Sequence, residues 1–508
     1  MSEWLNRNTA KSLAHKVFSA EQVRDNEPAA AQAAKCSMFT LMQRAGEAAF
    51  KQLILSWPHA RKILVLCGHG NNGGDGYIVA HLARQHGLHV SLCCVDIKHK
   101  LAGDALLAQQ QWLQGVEQGS GQVLAWQNRD FTGFDVIVDA LLGTGLKGEV
   151  RGSYRDIIQQ INLASIPVLG IDIPSGLDAN KGYPLGVAVK ANCTVTFVGI
   201  KSGLCSGMGK EYCGQRVFAD LAIGAEFSQG VQTKTHLISY GDLSPLAARR
   251  LNAHKGSHGK LLCIGGNTGM AGAIRMSSEA ALRTGAGLLK VFCHPDSALA
   301  ISSGRPELML ASQALEQHLN WASSIAIGPG LGQNEWSQAL FTTLAQYLAS
   351  HPKPLVIDAD GLNILASTPE SMKNLPALVI TPHSAEAARL LACSIRDVEH
   401  DRYGAAIELA NKYQACCILK GPGTIISDGS QSFVCTDGNP GMASGGMGDV
   451  LTGIVAALLA QGLPALQGAV YAVCLHGAAA DKLAAQSGQR GMLATDLFEI
   501  VRALVNWK

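Results

Sequence analysis

The sequence has no excess of charge of either sign: 41 Lys and Arg face 39 Asp and Glu, leaving a formal charge of +2. That balance gives no electrostatic case for a nucleic-acid or membrane-surface partner. No apolar run approaches the length of a membrane span, because Gly, Pro or Gln interrupts the longest candidates. The first residues, with Glu3, Arg7, Lys11 and Lys16, contain no apolar stretch of the secretory kind, so a cytoplasmic protein is expected. The 14 cysteines are scattered and include no C-x-x-C pair, which argues against a disulfide framework or a zinc centre. They read as reduced, mostly buried small hydrophobes. His254 and His258 have the spacing of helical zinc ligands, but Gly256 and Ser257 between them favour a loop and no metal. Fixed-period repeats and low-complexity tracts are absent apart from the Ala-rich 29–34, which suits an ordinary helix.

A chain of 508 residues exceeds what one hydrophobic core supports, so at least two domains are expected. Residues 17–50 read as helical. Short, continuous apolar runs then alternate with helix-sized segments: 62–67, 89–95, 136–139, 168–172 and 194–198. The pattern breaks in the Gly-, Gln-, Ser- and Thr-rich 225–242 and restarts with 260–264, 324–327, 354–358, 378–380 and 416–419. Continuous apolar strands interleaved with helices indicate buried parallel sheets. Two α/β domains are expected, 1–230 and 231–508.

In the first half, Gly68-His-Gly-Asn-Asn-Gly73 follows a strand and matches G-x-G-x-x-G, with Asp96 near where a ribose-binding acid would stand. The loop continues to Gly74, Asp75 and Gly76, however, and a carboxylate where a pyrophosphate should approach argues against a plain dinucleotide site. Further carboxylates and glycines close other strands: Asp139 with Gly143–Glu149, and Asp172-Ile-Pro-Ser175, with Tyr154 nearby. Ligands of open α/β sheets bind beyond the carboxyl ends of the strands, so these segments should converge. Turn propensity explains each piece but poorly explains carboxylates closing several buried strands together.

The second half carries Gly265–Ala273, Gly328-Pro-Gly-Leu-Gly332, Thr381-Pro-His383-Ser-Ala-Glu386 and Lys420-Gly-Pro-Gly-Thr424, all after strands. Its most telling stretch is Asn439-Pro-Gly-Met-Ala-Ser-Gly-Gly-Met-Gly-Asp449, followed at once by a helix-like apolar run. Such a loop offers bare N–H groups and a helix N-terminus to a phosphate, and Asp449 is its one proton acceptor. A lysine such as Lys420 is more often a solvated surface group, but a strand end before a Gly-rich turn suits phosphate contact.

The first-half motifs resemble the NAD(P)H-hydrate epimerase domain, over roughly 17–225. The second half resembles the ADP-dependent NAD(P)H-hydrate dehydratases of the ribokinase-like superfamily, over roughly 240–505. The second match is carried by His254–Gly259, Ala281–Gly287 and the 439–453 loop and helix start. The resemblance implies a Rossmann-like three-layer sandwich followed by a ribokinase-like three-layer α/β/α domain. It also implies interconversion of R- and S-NAD(P)HX and dehydration of the S form at the expense of ADP, giving AMP and phosphate. Asp172 and Asp449 would be catalytic. Asn71, Asn72, Gly73, Gly74, Asp75, Gly143, Thr144, Gly145, Leu146, Lys147, Gly148, Glu149, Tyr154 and Asp172 would contact the hydrate in the first half. Ala273, Gly332, His383 and Asp449 would contact it in the second, with the nucleotide on Lys420, Gly421, Pro422, Gly423, Thr424 and Gly448. Asn72, Asp139 and Ser175 would hold K+, an all-oxygen set of the kind hard cations select. Mg2+ is expected with the phosphates, and a homo-oligomer is expected. A ribokinase-type small-molecule kinase fits the Asp449 loop equally well but leaves the first-half motifs unexplained. A regulatory binding role for the first half is the non-enzymatic alternative.

Overall fold

The computed structural model describes residues 4–5, 12–95, 100–116, 122–125, 131–312, 314–370, 372, 375 and 377–506; Asp96 lies outside these. They form two compact units, Ser12–Thr233 and Lys234–Lys508, the second including Trp4 and Leu5. Leu5 bridges to Leu243, and the Trp4 ring lies 5.7 Å from that of Phe433.

The first unit is built on seven parallel strands: β1 (Lys62–Cys67), β2 (His89–Cys94), β3 (Gln122–Ala125), β4 (Val136–Ala140), β5 (Val168–Ile171), β6 (Cys193–Phe197) and β7 (Gln215–Ala219). Their order is β3-β2-β1-β4-β5-β6-β7, so the chain reverses its direction of travel between β1 and β4. The crevice at such a switch point is where open α/β sheets bind ligands. Alternate residues of β1 feed opposite layers: Ile63, Val65 and Cys67 pack with the helices Ala20–Ala33, Met38–Ser56 and Asn71–Gln85, while Leu64 and Leu66 join Ile157, Ile158 and Ile161 of Gly152–Leu163. The stretch expected to be helical throughout, 17–50, is divided. Lys16–Phe18 is a strand paired with Ile200–Lys201. Ser19 then starts the first helix through a capping box with Gln22, and Lys35 at φ 54° ends the turn before Ser37 caps the second.

The second unit contains β8 (Thr235–Ile238), β9 (Lys260–Ile264), β10 (Leu288–Phe292), β11 (Met309–Leu310), β12 (Ser324–Ile327), β13 (Leu355–Ile357), β14 (Leu378–Ile380), β15 (Cys416–Leu419), β16 (Ile425–Ser427) and β17 (Ser432–Cys435). The order is β11-β10-β9-β12-β13-β14-β15-β16-β17-β8, parallel from β11 to β15 and antiparallel through the β15-β16-β17 meander. Its switch point lies between β9 and β12. Instead of a bare linker, 225–242 contains most of a helix, Gly224–Gly230, and the strand β8. Met447–Ala460 and Ala465–Ser487 supply much of the large core on one face of this sheet.

Candidate active sites

In the first unit β1 ends at Gly68 and the chain enters the helix Asn71–Gln85, whose N-cap, Gly70, makes no side-chain cap bond. The helix's first amide donors are thus left for a ligand. Gly73 is required by close approach, since a Cβ there would lie 2.2 Å from the Gly68 carbonyl oxygen. The loop after β4 meets this helix: a Cβ on Gly143 would stand 3.1 Å from that of Asn72. The helix and this loop thus face each other across the β1–β4 switch point. Gly145, Lys147, Gly148 and Glu149 are exposed along the rim, and Tyr154, which sits on the first turn of Gly152–Leu163 and not at a strand end, is edge-on to His69 at 6.3 Å.

Asn72, Asp139 and Ser175 do come together, around Leu142. Asn72 Nδ2 donates to the Leu142 carbonyl at 3.2 Å, and the Leu142 N–H donates to Ser175 Oγ at 2.8 Å. The Ser175 amide and hydroxyl donate to Asp139 at 2.8 and 2.5 Å. Asn72 Oδ1 is buried with no hydrogen-bond partner, a lone acceptor in an all-oxygen setting. Burial pushes the Asp139 carboxyl up to about 6 against the donors from Ser175 and Leu141. A buried carboxylate, an orphaned amide oxygen and a hydroxyl are the donor set a hard cation would take.

Asp172 follows β5 in a tight, strained turn. Its φ is 62°, and the Ile173 N–H reaches back to the Ile171 carbonyl at 2.8 Å, the left-handed form of the γ-turn. Val198 repeats the device after β6, with φ 62° and Gly199 N–H to Phe197 O at 2.6 Å. Such backbone strain costs about 1–3 kcal/mol per residue and concentrates where side chains must be aimed. Asp172 Oδ1 accepts from the Phe197 amide at 3.1 Å, from Thr196 Oγ1 at 3.2 Å and from the Lys201 ammonium. Asp75, expected to oppose a phosphate, is instead buried in the second turn of its helix. Burial first, then the Asp172 and Glu27 charges, push its carboxyl well above the usual range in spite of Lys201. Buried there, Asp75 does not face the loop where a phosphate would approach, which is where the sequence had set its charge. Glu27 is likewise raised, by burial and then Asp172, with Lys201 opposing.

In the second unit the helix Met447–Ala460 begins at Gly446 (φ 89°), again with no side-chain cap, and presents Asp449 in its first turn. Asp358, which closes β13, organises this end of the sheet. Its Oδ1 accepts from Lys420 Nζ at 2.9 Å and Thr381 Oγ1 at 2.7 Å, and its Oδ2 from Thr452 Oγ1 at 2.7 Å. One buried carboxylate thereby ties together the ends of β14 and β15 and the Asp449 helix. Burial would raise Asp358, but the Lys420 charge together with the hydrogen bonds from Lys420, Thr381 and Thr452 holds the carboxyl below its usual range. Burial would lower the Lys420 ammonium, and Asp358 and Glu386 outweigh that in turn and hold it above the ordinary value. Lys420 is thus no solvated surface group. It also meets Gly448: a Cβ there would lie 3.3 Å from Nζ.

Gly332 donates its N–H to Asp360 Oδ2 at 2.8 Å, and Ala273 approaches Gly330. Gly328, at φ 130°, lets the loop pass where a Cβ would stand 1.7 Å from the Asp358 carbonyl. His383 caps the helix Ser384–Leu391: Nδ1 accepts from the Ala385 and Glu386 amides, and Nε2 lies 3.4 Å from Glu386. Capping therefore accounts for this residue type whether or not it touches substrate. The 419–421 turn is held from behind by Arg402, fully buried, which donates to the Leu419 and Lys420 carbonyls at 3.3 and 3.1 Å. Asp449 itself makes no hydrogen bond among the described residues. Burial first, then the charge of Asp358, push its carboxyl up to about 7 in spite of Lys420, with Asp360 and Glu386 adding to the rise.

Asp358, Asp360, Lys201 and Glu27 had no site role in the sequence reading. Asp358 bears the signal used elsewhere, a carboxylate closing a buried strand, and Asp360 opens the helix that follows it. The lysine and the glutamate bear none, because only the fold shows that they are drawn into a carboxylate cluster.

A family profile described as NAD(P)H-hydrate dehydratase matches residues 261–503, and one described as YjeF-related protein N-terminus matches residues 39–203. The bifunctional NAD(P)H-hydrate repair enzyme of Escherichia coli (strain K12) is 43% identical over 100% of this chain and 97% of its own length. This chain belongs to the bifunctional NAD(P)H-hydrate repair enzyme family. The member from Coxiella burnetii is 43% identical over 96% of this chain and 99% of its own, and that from Leishmania braziliensis 40% over 97% and 94%. A ribokinase-like superfamily protein from Enterococcus faecalis superposes with a TM-score of 0.50 at 28% identity, covering 54% of this chain and 96% of that one. The two profile matches thus fall one on each unit.

Proposed function

We propose that the first unit interconverts R- and S-NAD(P)HX and that the second dehydrates S-NAD(P)HX using ADP, releasing AMP and phosphate. The observation that carries this reading is that each sheet has, at its carboxyl edge, an uncapped helix N-terminus and an aspartate, Asp172 or Asp449, with a carboxylate oxygen that accepts no hydrogen bond among the described residues. In the second unit Asp449 would take the proton of the hydrate's hydroxyl as that oxygen attacks the terminal phosphoryl group of the nucleotide. The hydroxyl becomes a phosphate ester, a far better leaving group than hydroxide. The lone pair of the ring nitrogen expels phosphate, and loss of the proton on the adjacent ring carbon restores the double bond. Lys420, the Gly421–Thr424 turn and the Gly448 amide would neutralise charge on the transferring group, a role supported by the closeness of Lys420 Nζ to Gly448. Mg2+ would arrive on the nucleotide phosphates and neutralise their charge; magnesium commonly takes only one or two carboxylates besides phosphates and water. In the first unit Asp172 would serve the departing and returning hydroxyl, while Asn72, Asp139 and Ser175 would hold K+ and brace the loop that faces the substrate.

The base form of Asp449 is the carboxylate, so dehydration is lost as pH falls through its titration. The kcat/KM for S-NADHX is expected to rise about tenfold per pH unit up to about 7 and to level off above it. A profile flat from about pH 5.5 to 8.5 contradicts Asp449 as the base. Replacing potassium by tetramethylammonium at constant ionic strength is expected to slow epimerisation and to leave dehydration far less affected, since the bulky cation cannot enter the Asn72–Asp139–Ser175 cage. Equal epimerase rates in both salts remove the ion from the mechanism.

All 14 cysteines are free thiols and no helix among the described residues is long and apolar enough to cross a membrane. A reducing, cytoplasmic setting is part of this proposal. So is self-association, which light scattering on the purified protein checks.

A further inference from the structure

Lys201 is an unexpected cation. It is 2% exposed, stands in the two-residue strand Ile200–Lys201, and is drawn into a cluster with the carboxyls of Asp172, Asp75 and Glu27. Burying an ammonium is costly unless it is paired and its protons are all used. Here they are: Nζ donates to Asp172 Oδ1, to the Phe197 carbonyl at 2.9 Å and to Thr196 Oγ1 at 3.4 Å. The Phe197 carbonyl is also the acceptor that closes the γ-turn at Val198, and Asp172 is the centre of the other γ-turn. One lysine therefore clamps both strained turns, at the ends of adjacent strands β5 and β6.

All the hydrogen bonds to the Asp172 carboxylate among the described residues fall on Oδ1: from the Phe197 amide, Thr196 Oγ1 and Lys201 Nζ. Oδ2 receives none. A carboxylate held by one oxygen through three donors cannot swing freely, and the other oxygen is left as the reactive atom. We infer that Lys201 is the positioning residue of the epimerase site, clamping Asp172 through Oδ1 so that Oδ2 alone handles the substrate proton. This rests on the proposed role of Asp172. Geometric misplacement of a reacting group by about 1 Å can cost about a hundredfold in rate without a comparable change in binding.

Epimerisation of R-NADHX is measured in saturating K+ for the wild type and for Asp172→Asn, Lys201→Met, Lys201→Ala and the Asp172→Asn/Lys201→Met pair. Lys201→Met is expected to lower kcat by about 10²-fold with KM within about threefold. It is expected to add nothing to Asp172→Asn, because a clamp has no further effect once its carboxylate is gone. Lys201→Ala leaves a cavity ending at Asp172, and small alkylammonium ions are expected to restore part of kcat there and none of it in Lys201→Met, whose side chain fills the space. Thermal unfolding of each variant separates collapse of the unit from loss of the clamp, and rescue in Lys201→Ala is a gain that an unfolded unit cannot give. Near-wild-type kcat in Lys201→Met, additive losses in the double variant, or an unrescued Lys201→Ala that still melts cooperatively would each overturn the inference. Absence of epimerisation by the wild type, or full activity of Asp172→Asn, instead sinks the reading on which it rests.

Discussion

Asp449→Asn is expected to lower nucleotide-dependent dehydration of S-NADHX by a factor of about 10² to 10⁴, the usual cost of deleting a general base from a formed site. The amide is nearly isosteric, so the helix Met447–Ala460 and its uncapped N-terminus should persist. Asp358 should still engage Lys420, Thr381 and Thr452, because none of those bonds involves Asp449. Nucleotide affinity is therefore expected to change little while turnover collapses. Epimerisation should continue at the wild-type rate, since it belongs to the other unit. Dehydration above half the wild-type rate would eliminate Asp449 as the base.

Asp172→Asn should give the converse defect. The amide retains an oxygen for the Phe197 N–H and Thr196 but loses the charge that Lys201 pairs with and the oxygen that would take a proton. S-NADHX should still be repaired at the normal rate, whereas R-NADHX should disappear only as fast as it converts spontaneously. If a mixture of epimers is cleared as quickly as by the wild type, Asp172 is not the catalytic group of the first unit.

Much of this arrangement is legible in the amino-acid order because buried parallel strands leave an unmistakable trace. The runs at 62–67, 260–264, 324–327, 378–380 and 416–419 coincide with strands residue for residue, since each is apolar beyond at most its first residue and is followed at once by Gly, Thr or Lys. Other strands leave a weaker trace: Gln215–Ala219 is exposed at Gln215 and half-buried beyond it, and Thr235–Ile238 and Ser432–Cys435, though largely buried, are short and border polar stretches that read as turn. Asp139, near the end of the apolar run of β4, and Asp172, just after β5, could be singled out because acids seldom close buried apolar runs without a task, and Asp449 because it is the one acid of a Gly-rich loop that opens a helix. Asp358 obeys the same rule and could have been found by it. Lys201 could not, because a lone lysine ordinarily marks solvent, and only the meeting of two γ-turns reveals what it holds. Asp75 shows the opposite limit: its exposure beside a phosphate was inferred from its place in the loop, whereas it is buried within the helix, where desolvation and then the Asp172 and Glu27 charges push its carboxyl up.

The most direct test of the central claim is to incubate the protein with mixed R- and S-NADHX and to follow NADH absorbance with and without ADP. The account predicts that no NADH forms without nucleotide and that, with ADP, both epimers are consumed completely, with one AMP and one phosphate released per NADH. Accumulation of a stable phosphorylated hydrate with no NADH, or conversion that halts when the S epimer is exhausted, would contradict it.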